Sequence, residues 1–244
     1  MTKIFLHIPH SGECIPKNFF NNITISKDEV IDFKNAITDT KTDKLFGRNF
    51  YKRLKAKYSR IFCDMEKYAD DEKEEMSKFG MGVIYTKTNK DVKFAEYDDE
   101  YRQNVLNKYY YPYHAKLDKK VNKLLFKNNV ILIDCHSFSK DIIMFAERKE
   151  NLPDICVGFN SDVNMKLVDF VCNFFEEQGY KVARNYPYSG SMVPNNLLVD
   201  TNGHKFESIM IEINKTAYLF DKNKFKKMQI VINELLKKLE NFEL

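Results

Sequence analysis

A chain of 244 residues with 43% hydrophobic side chains carries enough apolar material for one substantial core, so residues 1–244 are read as a single domain. Its 39 basic and 35 acidic side chains leave a formal charge of +4, and the lysines are interspersed with acids, which sets nucleic acid aside as a partner. Cys14, Cys63, Cys135, Cys156 and Cys172 form no CxxC pair, the N-terminal apolar run is too short for a signal segment, and no stretch approaches bilayer length. The expectation is a cytoplasmic chain with free thiols and no membrane partner.

Short β-rich runs at 3–8, 60–64, 82–86, 130–135, 154–159, 181–184 and 207–213 read as strands. The first leads into His7-Ile8-Pro9-His10-Ser11-Gly12. After it, Leu45, Phe46, Phe50 and Leu54 recur at helical spacing, with Thr38 or Asp39 placed to cap that helix. Residues 96–127 form a charged, tyrosine-rich helical stretch that Pro112 is expected to break or kink into two helices. Met165 to Gln178 reads as a helix stopping at Gly179, and 222–240 as an amphipathic terminal helix. The continuous apolar run Val130 to Ile133 suits a strand covered on both faces. The alternation therefore predicts a three-layer α/β/α fold around a mixed, largely parallel sheet.

In such sheets ligands gather beyond the carboxyl ends of the strands, and His10, Asp134, His136, Glu212 and Asn214 all fall near such ends. Period-two alternation puts Asp134 and His136 on one face, and Glu212 and Asn214 on one face. Two imidazoles and a carboxylate can hold a zinc ion and leave a coordination position for water. His10 and His136 are the candidate histidines. The third ligand is open between Glu13, in an H-x-x-E spacing, and Asp39 or Asp43. Glu212, in an otherwise apolar strand, is placed to have a raised pKa suited to a general base.

Plainer readings stand beside these. A strand-end histidine is commonly only hydrogen-bonded, Glu212 is open to pairing with a lysine, and Asp39 to capping a helix. His7 alternates with the apolar residues of the first strand and reads as core or support for a ligand. Cys135 faces away from Asp134 and His136 and reads as a buried thiol. The tyrosines around Tyr110 read as packing surface, with one hydroxyl available to a cleft.

The sequence resembles the N-formylglutamate amidohydrolase family over nearly its whole length. The likeness rests on His7-Ile8-Pro9-His10-Ser11-Gly12, Thr38-Asp39 with Thr42-Asp43-Lys44-Leu45-Phe46, and Ser59-Arg60 with Asp64-Met65-Glu66. It continues through Gly80 to Thr86, Tyr111-Pro112-Tyr113-His114, Asp134-Cys135-His136-Ser137-Phe138 and Pro153 to Gly158. Asn185-Tyr186-Pro187-Tyr188-Ser189-Gly190 and Ser208 to Lys215 complete it. The resemblance implies a zinc-exopeptidase-like (phosphorylase/hydrolase-like) fold, related to N-acetylmuramoyl-L-alanine amidases. It also implies one zinc ion per chain, other divalent metals remaining open, and hydrolysis of N-formylglutamate, as in histidine degradation. By it His10 and His136 are zinc ligands, Asp39 is favoured as the third with Asp43 and Glu13 in reserve, and Glu212 is the catalytic carboxylate. Arg60, Ser189, Asn214 and Lys215 would bind a small substrate carrying carboxylate and N-acyl groups, although Arg60 is also open to a structural ion pair with Asp64. Lys215 and Lys67 replace arginines usual in the family, and a lysine cannot form the planar fork that grips a second carboxylate. The alternatives are a peptide or peptidoglycan-type amidase, and a catalytically silent carboxylate-binding protein.

Overall fold

The computed structural model describes residues 1–47, 50–143 and 150–244. Six strands, β1 (Thr2–Ile8), β2 (Lys52–Lys55), β3 (Asn129–Phe138), β4 (Ile155–Gly158), β5 (Val182–Arg184) and β6 (Phe206–Asn214), form one sheet in the order β2-β1-β3-β6-β4-β5. Every neighbouring pair is parallel except β4 with β6. The fold is therefore α/β with a mixed, mostly parallel sheet. No helix among the described residues is long and apolar enough to cross a membrane.

Alternation along the central strands assigns the two faces. Ile4, Leu6, Ile8, Ile131, Ile133, Cys135, Ile209, Ile211 and Ile213 face α2 (Thr42–Leu45), α5 (Met165–Glu177) and α6 (Lys222–Leu239) in one buried core. Asp221 caps α6 by accepting from Asn223 N and Lys224 N, and Gly179 leaves α5 at φ +82°, a conformation without cost for glycine. Phe5, Val130 and Leu132 face the other way, into a core shared with α1 (Lys27–Ile37), α3 (Asp99–Val105), α4 (Tyr111–Leu125) and the largely irregular segment between β2 and α3. The helix α1 carries a sequence signal not read above. Ser26 and Glu29 form a reciprocal capping box, and Val30, Phe33 and Ile37 make its buried stripe.

Three local expectations are corrected. Residues 60–64 are a turn, in which Phe62 N and Cys63 N both donate to Ser59 O, and the apolar run reflects burial of that turn. Residues 82–86 double back after Gly80, at φ +70°, with Thr86 N and Lys87 N donating to Gly80 O and only a Met81–Tyr85 bridge. The helix proposed through Leu45, Phe46, Phe50 and Leu54 stops at Leu45. Residues 52–55 instead add an edge strand to β1, with Leu54 buried and Lys52 and Lys55 exposed, as suits an edge. The stretch around Pro112 is, as expected, two α-helices: α3 gives way to a π-helical turn, Leu106–Tyr110, from which α4 begins. Tyr111 N donates to Leu106 O, five residues back, so the proline enters near the start of α4, where its missing N–H is tolerated.

Candidate metal centre

The register of the sheet assembles the site on the second face. His7 lies beside Asp134, and His136 beside Glu212. The strand β3 runs to Phe138, so His136 sits inside a ladder rather than beyond its end. His10 follows β1 in a loop that presses on its neighbour: a Cβ on Gly12 would lie 2.7 Å from Ala56 O, which explains glycine in His10-Ser11-Gly12. Asp39 lies between α1 and α2, and its N–H donates to His10 O at 3.0 Å. Its side chain caps no helix. Asp39 Oδ2 accepts instead from Ser137 N at 3.2 Å and meets His136 Nδ1 at 3.1 Å.

Both imidazoles are oriented by carboxylates on the far side of their rings. His10 Nε2 faces Asp64 Oδ1 at 2.7 Å; His136 Nε2 faces Glu66 Oε1 at 3.0 Å and Asp134 Oδ1 at 3.1 Å. Carboxylates only accept, so each Nε2 carries the proton. That leaves the two Nδ1 atoms 3.2 Å apart, with Asp39 Oδ2 3.1 Å from one and 3.8 Å from the other. Around a tetrahedral ion with bonds of 2.0–2.1 Å, donor atoms sit about 3.4 Å apart. Two imidazole nitrogens and a carboxylate converging in a buried space at this spacing fit a divalent metal. His10, Asp39 and His136 would hold it.

The charges around this point are arranged for a cation. Burial works against an ionised Asp39, yet His136, His10 and Arg60 outweigh it and hold the carboxyl below its ordinary value. Burial also opposes charge on His136, but Glu66, Asp134 and Asp39 prevail and hold the ring well above its usual range. A metal would replace that proton. Glu212 goes the other way: burial chiefly, with Asp39 and Glu66 adding to it, pushes its carboxyl up to about 8. Its Oε2 is buried and has no hydrogen-bond partner among the described residues.

A family model for N-formylglutamate amidohydrolase matches residues 2–219. The chain belongs to the N-formylglutamate amidohydrolase family. The crystal structure of N-formylglutamate amidohydrolase from Ralstonia eutropha is similar at 22% identity and a TM-score of 0.79, covering 98% of this chain and 93% of that one. A gene product from Agrobacterium tumefaciens is similar at 18% identity and a TM-score of 0.71, covering 97% and 90%. At these identities the two structures speak for the fold. No curated protein matches the chain.

In this member of the amidohydrolase family, His10, Arg60, His136, Ser189 and Glu212 line one cavity of about 1150 Å³. Arg60 is held rather than free: Nε and Nη2 donate to Asp64 Oδ2 at 3.0 and 2.9 Å, and Tyr85 OH donates to the same oxygen at 2.8 Å. The ion pair and a place at the cavity wall coexist. The other candidates lie elsewhere. Glu13 is exposed and faces Lys34 at 3.7 Å, while Asp43 pairs with Lys55 at 2.7 Å beside the edge strand. Asn214 turns away to cap Thr216 N and to donate to Pro153 O, because the chain leaves the ladder there. Lys215 is buried with Nζ donating to Ala36 O at 2.9 Å, and burial lowers its pKa. Neither residue reaches the cavity wall, and Lys67 there is paired with Glu74 at 3.2 Å.

Reasoning from spacing missed the carboxylates that orient the histidines. Asp64 and Glu66 lie in a segment read as strand and its exit, and their shared target, His10 Nε2, is more than fifty residues away. His7, read as core or support, is fully buried in β1 beside Asp134. Its Nδ1 donates to Asp134 Oδ1 at 2.7 Å.

Proposed function

We propose that this chain is a zinc-dependent amidohydrolase that cleaves the formamide of an N-formyl amino acid, with N-formylglutamate the leading substrate, releasing formate and the free amine. The observation that carries the reading is the convergence of His10 Nδ1, His136 Nδ1 and Asp39 Oδ2 beside a buried, partnerless Glu212 oxygen. When bound, zinc supplies Lewis acidity that polarises a carbonyl and acidifies water. The rest is done by side chains. Glu212, poised near neutrality by its burial, takes a proton from water as the C–O bond forms and delivers it to nitrogen as the C–N bond breaks. Asp64, Glu66 and Asp134 hold the imidazoles so that both Nδ1 atoms face the reacting region.

Arg60 is the substrate anchor. Its Nε/Nη2 edge is spent on Asp64, which fixes the guanidinium plane and leaves Nη1 for a substrate carboxylate at the cavity wall. Ser189 lines the same wall as a neutral donor or acceptor. A second reading, an N-acylated peptide as substrate, is favoured by one observation: the cavity exceeds the range of about 300–1,000 Å³ typical of small-ligand pockets.

The test is formate release from N-formylglutamate, N-formylglycine and an N-formyl dipeptide by zinc-loaded protein. Turnover of N-formylglutamate above both others supports the leading substrate; preference for the dipeptide transfers the reading to peptides. Stoichiometric zinc with no turnover of any amide would establish a silent binding protein.

A further inference from the structure

Three carboxylates face the backs of the two cluster histidines, and their commitments differ. Asp64 Oδ1 takes His10 Nε2 at 2.7 Å, and Oδ2 is occupied by Arg60 and Tyr85. Asp134 Oδ1 is shared between His7 Nδ1 at 2.7 Å and His136 Nε2 at 3.1 Å, and Oδ2 accepts from Met192 N. Glu66 alone reaches both cluster rings: Oε1 lies 3.0 Å from His136 Nε2, and Oε2 lies 3.3 Å from His10 Nε2. Its backbone is fixed as well. Glu66 N donates to Asp64 Oδ1, the oxygen that takes His10, and the intervening Met65 is buried.

We propose that Glu66 is a positioning residue whose single carboxylate ties His10 and His136 into one unit and sets the separation and tautomer with which they meet a metal ion. The inference rests on the metal reading of the His10–Asp39–His136 cluster. Only a carboxylate serves both rings, because each Nε2 presents a proton and each carboxylate oxygen accepts one. A glutamine in its place offers one acceptor and one donor. One ring then confronts an N–H₂ group and loses its orientation, while side-chain volume is unchanged.

The experiment is a zinc competition titration against a chromophoric chelator, run on wild type, Glu66→Gln, Glu66→Ala and His136→Ala, with the visible spectrum of the cobalt-substituted forms and thermal unfolding of the metal-free forms. Glu66→Gln is expected to bind zinc about 10–100-fold more weakly and to shift the cobalt bands, while thermal unfolding shows that its metal-free form still folds. Affinity and spectrum equal to wild type in Glu66→Gln and Glu66→Ala would overturn the proposal. Should neither variant fold, ¹⁵N spectra of the histidine rings in zinc-loaded wild type decide: protons on both Nε2 atoms support it, and a proton on either Nδ1 overturns it. Equal zinc binding by wild type and His136→Ala would instead overturn the metal reading beneath it.

Discussion

Along β3, Ile131, Ile133 and Cys135 face one side of the sheet, where α5 and α6 cover them with regular apolar helices. Val130 and Leu132 face the other side as core, but two steps further the same face presents Asp134 and then His136. The covers differ accordingly. On the first face, helices with buried apolar stripes cover the central strands with an almost wholly apolar core. On the second, α1, α3 and α4 share the work with the segment between β2 and α3, whose turns bring Arg60, Asp64 and Glu66 against the strand ends. Regular cover makes a core, and irregular cover leaves room for a cavity and supplies its chemistry.

The largest effect expected from breaking this division is at paired positions of β3. His136→Ala should abolish stoichiometric metal and lower formamide hydrolysis by at least about 10³-fold, measured by metal analysis and formate release, since it removes one of the three proposed ligands. Ile133→Ala, on the helical face, should do the converse. It should cost about 2–5 kcal/mol in chemical denaturation and leave metal content per folded molecule unchanged. Metal loss in both, or stability loss in both, would deny that the faces divide the labour.

Glu212→Gln comes next. It keeps the shape and removes the proposed base, so kcat should fall about 10²–10⁴-fold with zinc affinity near wild type. Unchanged hydrolysis in metal-loaded Glu212→Gln would remove Glu212 from the reaction.

The same residue gives a smaller, pH-dependent effect in chelator-treated protein. Its carboxyl lies at about 8 in the metal-free fold against an ordinary 4.5. Between those values the unfolded chain has released a proton that the folded chain retains, so stability falls as pH rises through the window and levels above it. The slope is at most roughly 1.4 kcal/mol per pH unit. Denaturation of metal-free wild type from pH 5 to 8 should show this contribution, and Glu212→Gln should lack it. Parallel profiles would mean that Glu212 ionises normally.

The smallest effect belongs outside the division. Asp43→Asn breaks only the partly exposed pair with Lys55, so it should cost under about 1 kcal/mol and leave zinc affinity and turnover unaltered. A metal defect there would return Asp43 to the cluster.

The sequence by itself determined the layered α/β class, the strands holding His7, His136 and Glu212, the helices α5 and α6, and the family. These follow from local periodicity, from caps such as Gly179, and from ordered motifs along the chain. Periodicity also put Asp134 and His136 on one face and Cys135 on the other, because a strand alternates whatever its neighbours do. Only the tertiary structure shows which of Glu13, Asp39 and Asp43 lies beside the two histidines. The loop after α1 bonds to His10 O and delivers Asp39 alone to the cluster. It also decided that Asn214 and Lys215, one step beyond Glu212, turn away, and that Leu54 joins a strand instead of a helix. The orienting carboxylates at 64 and 66 were out of reach of spacing arguments for the same reason. A hydrogen bond from His10 to Asp64 spans 54 residues, and its existence depends on how the turn at 59–63 meets the loop after β1, where Ser59 N donates to Cys14 O, which no local pattern encodes.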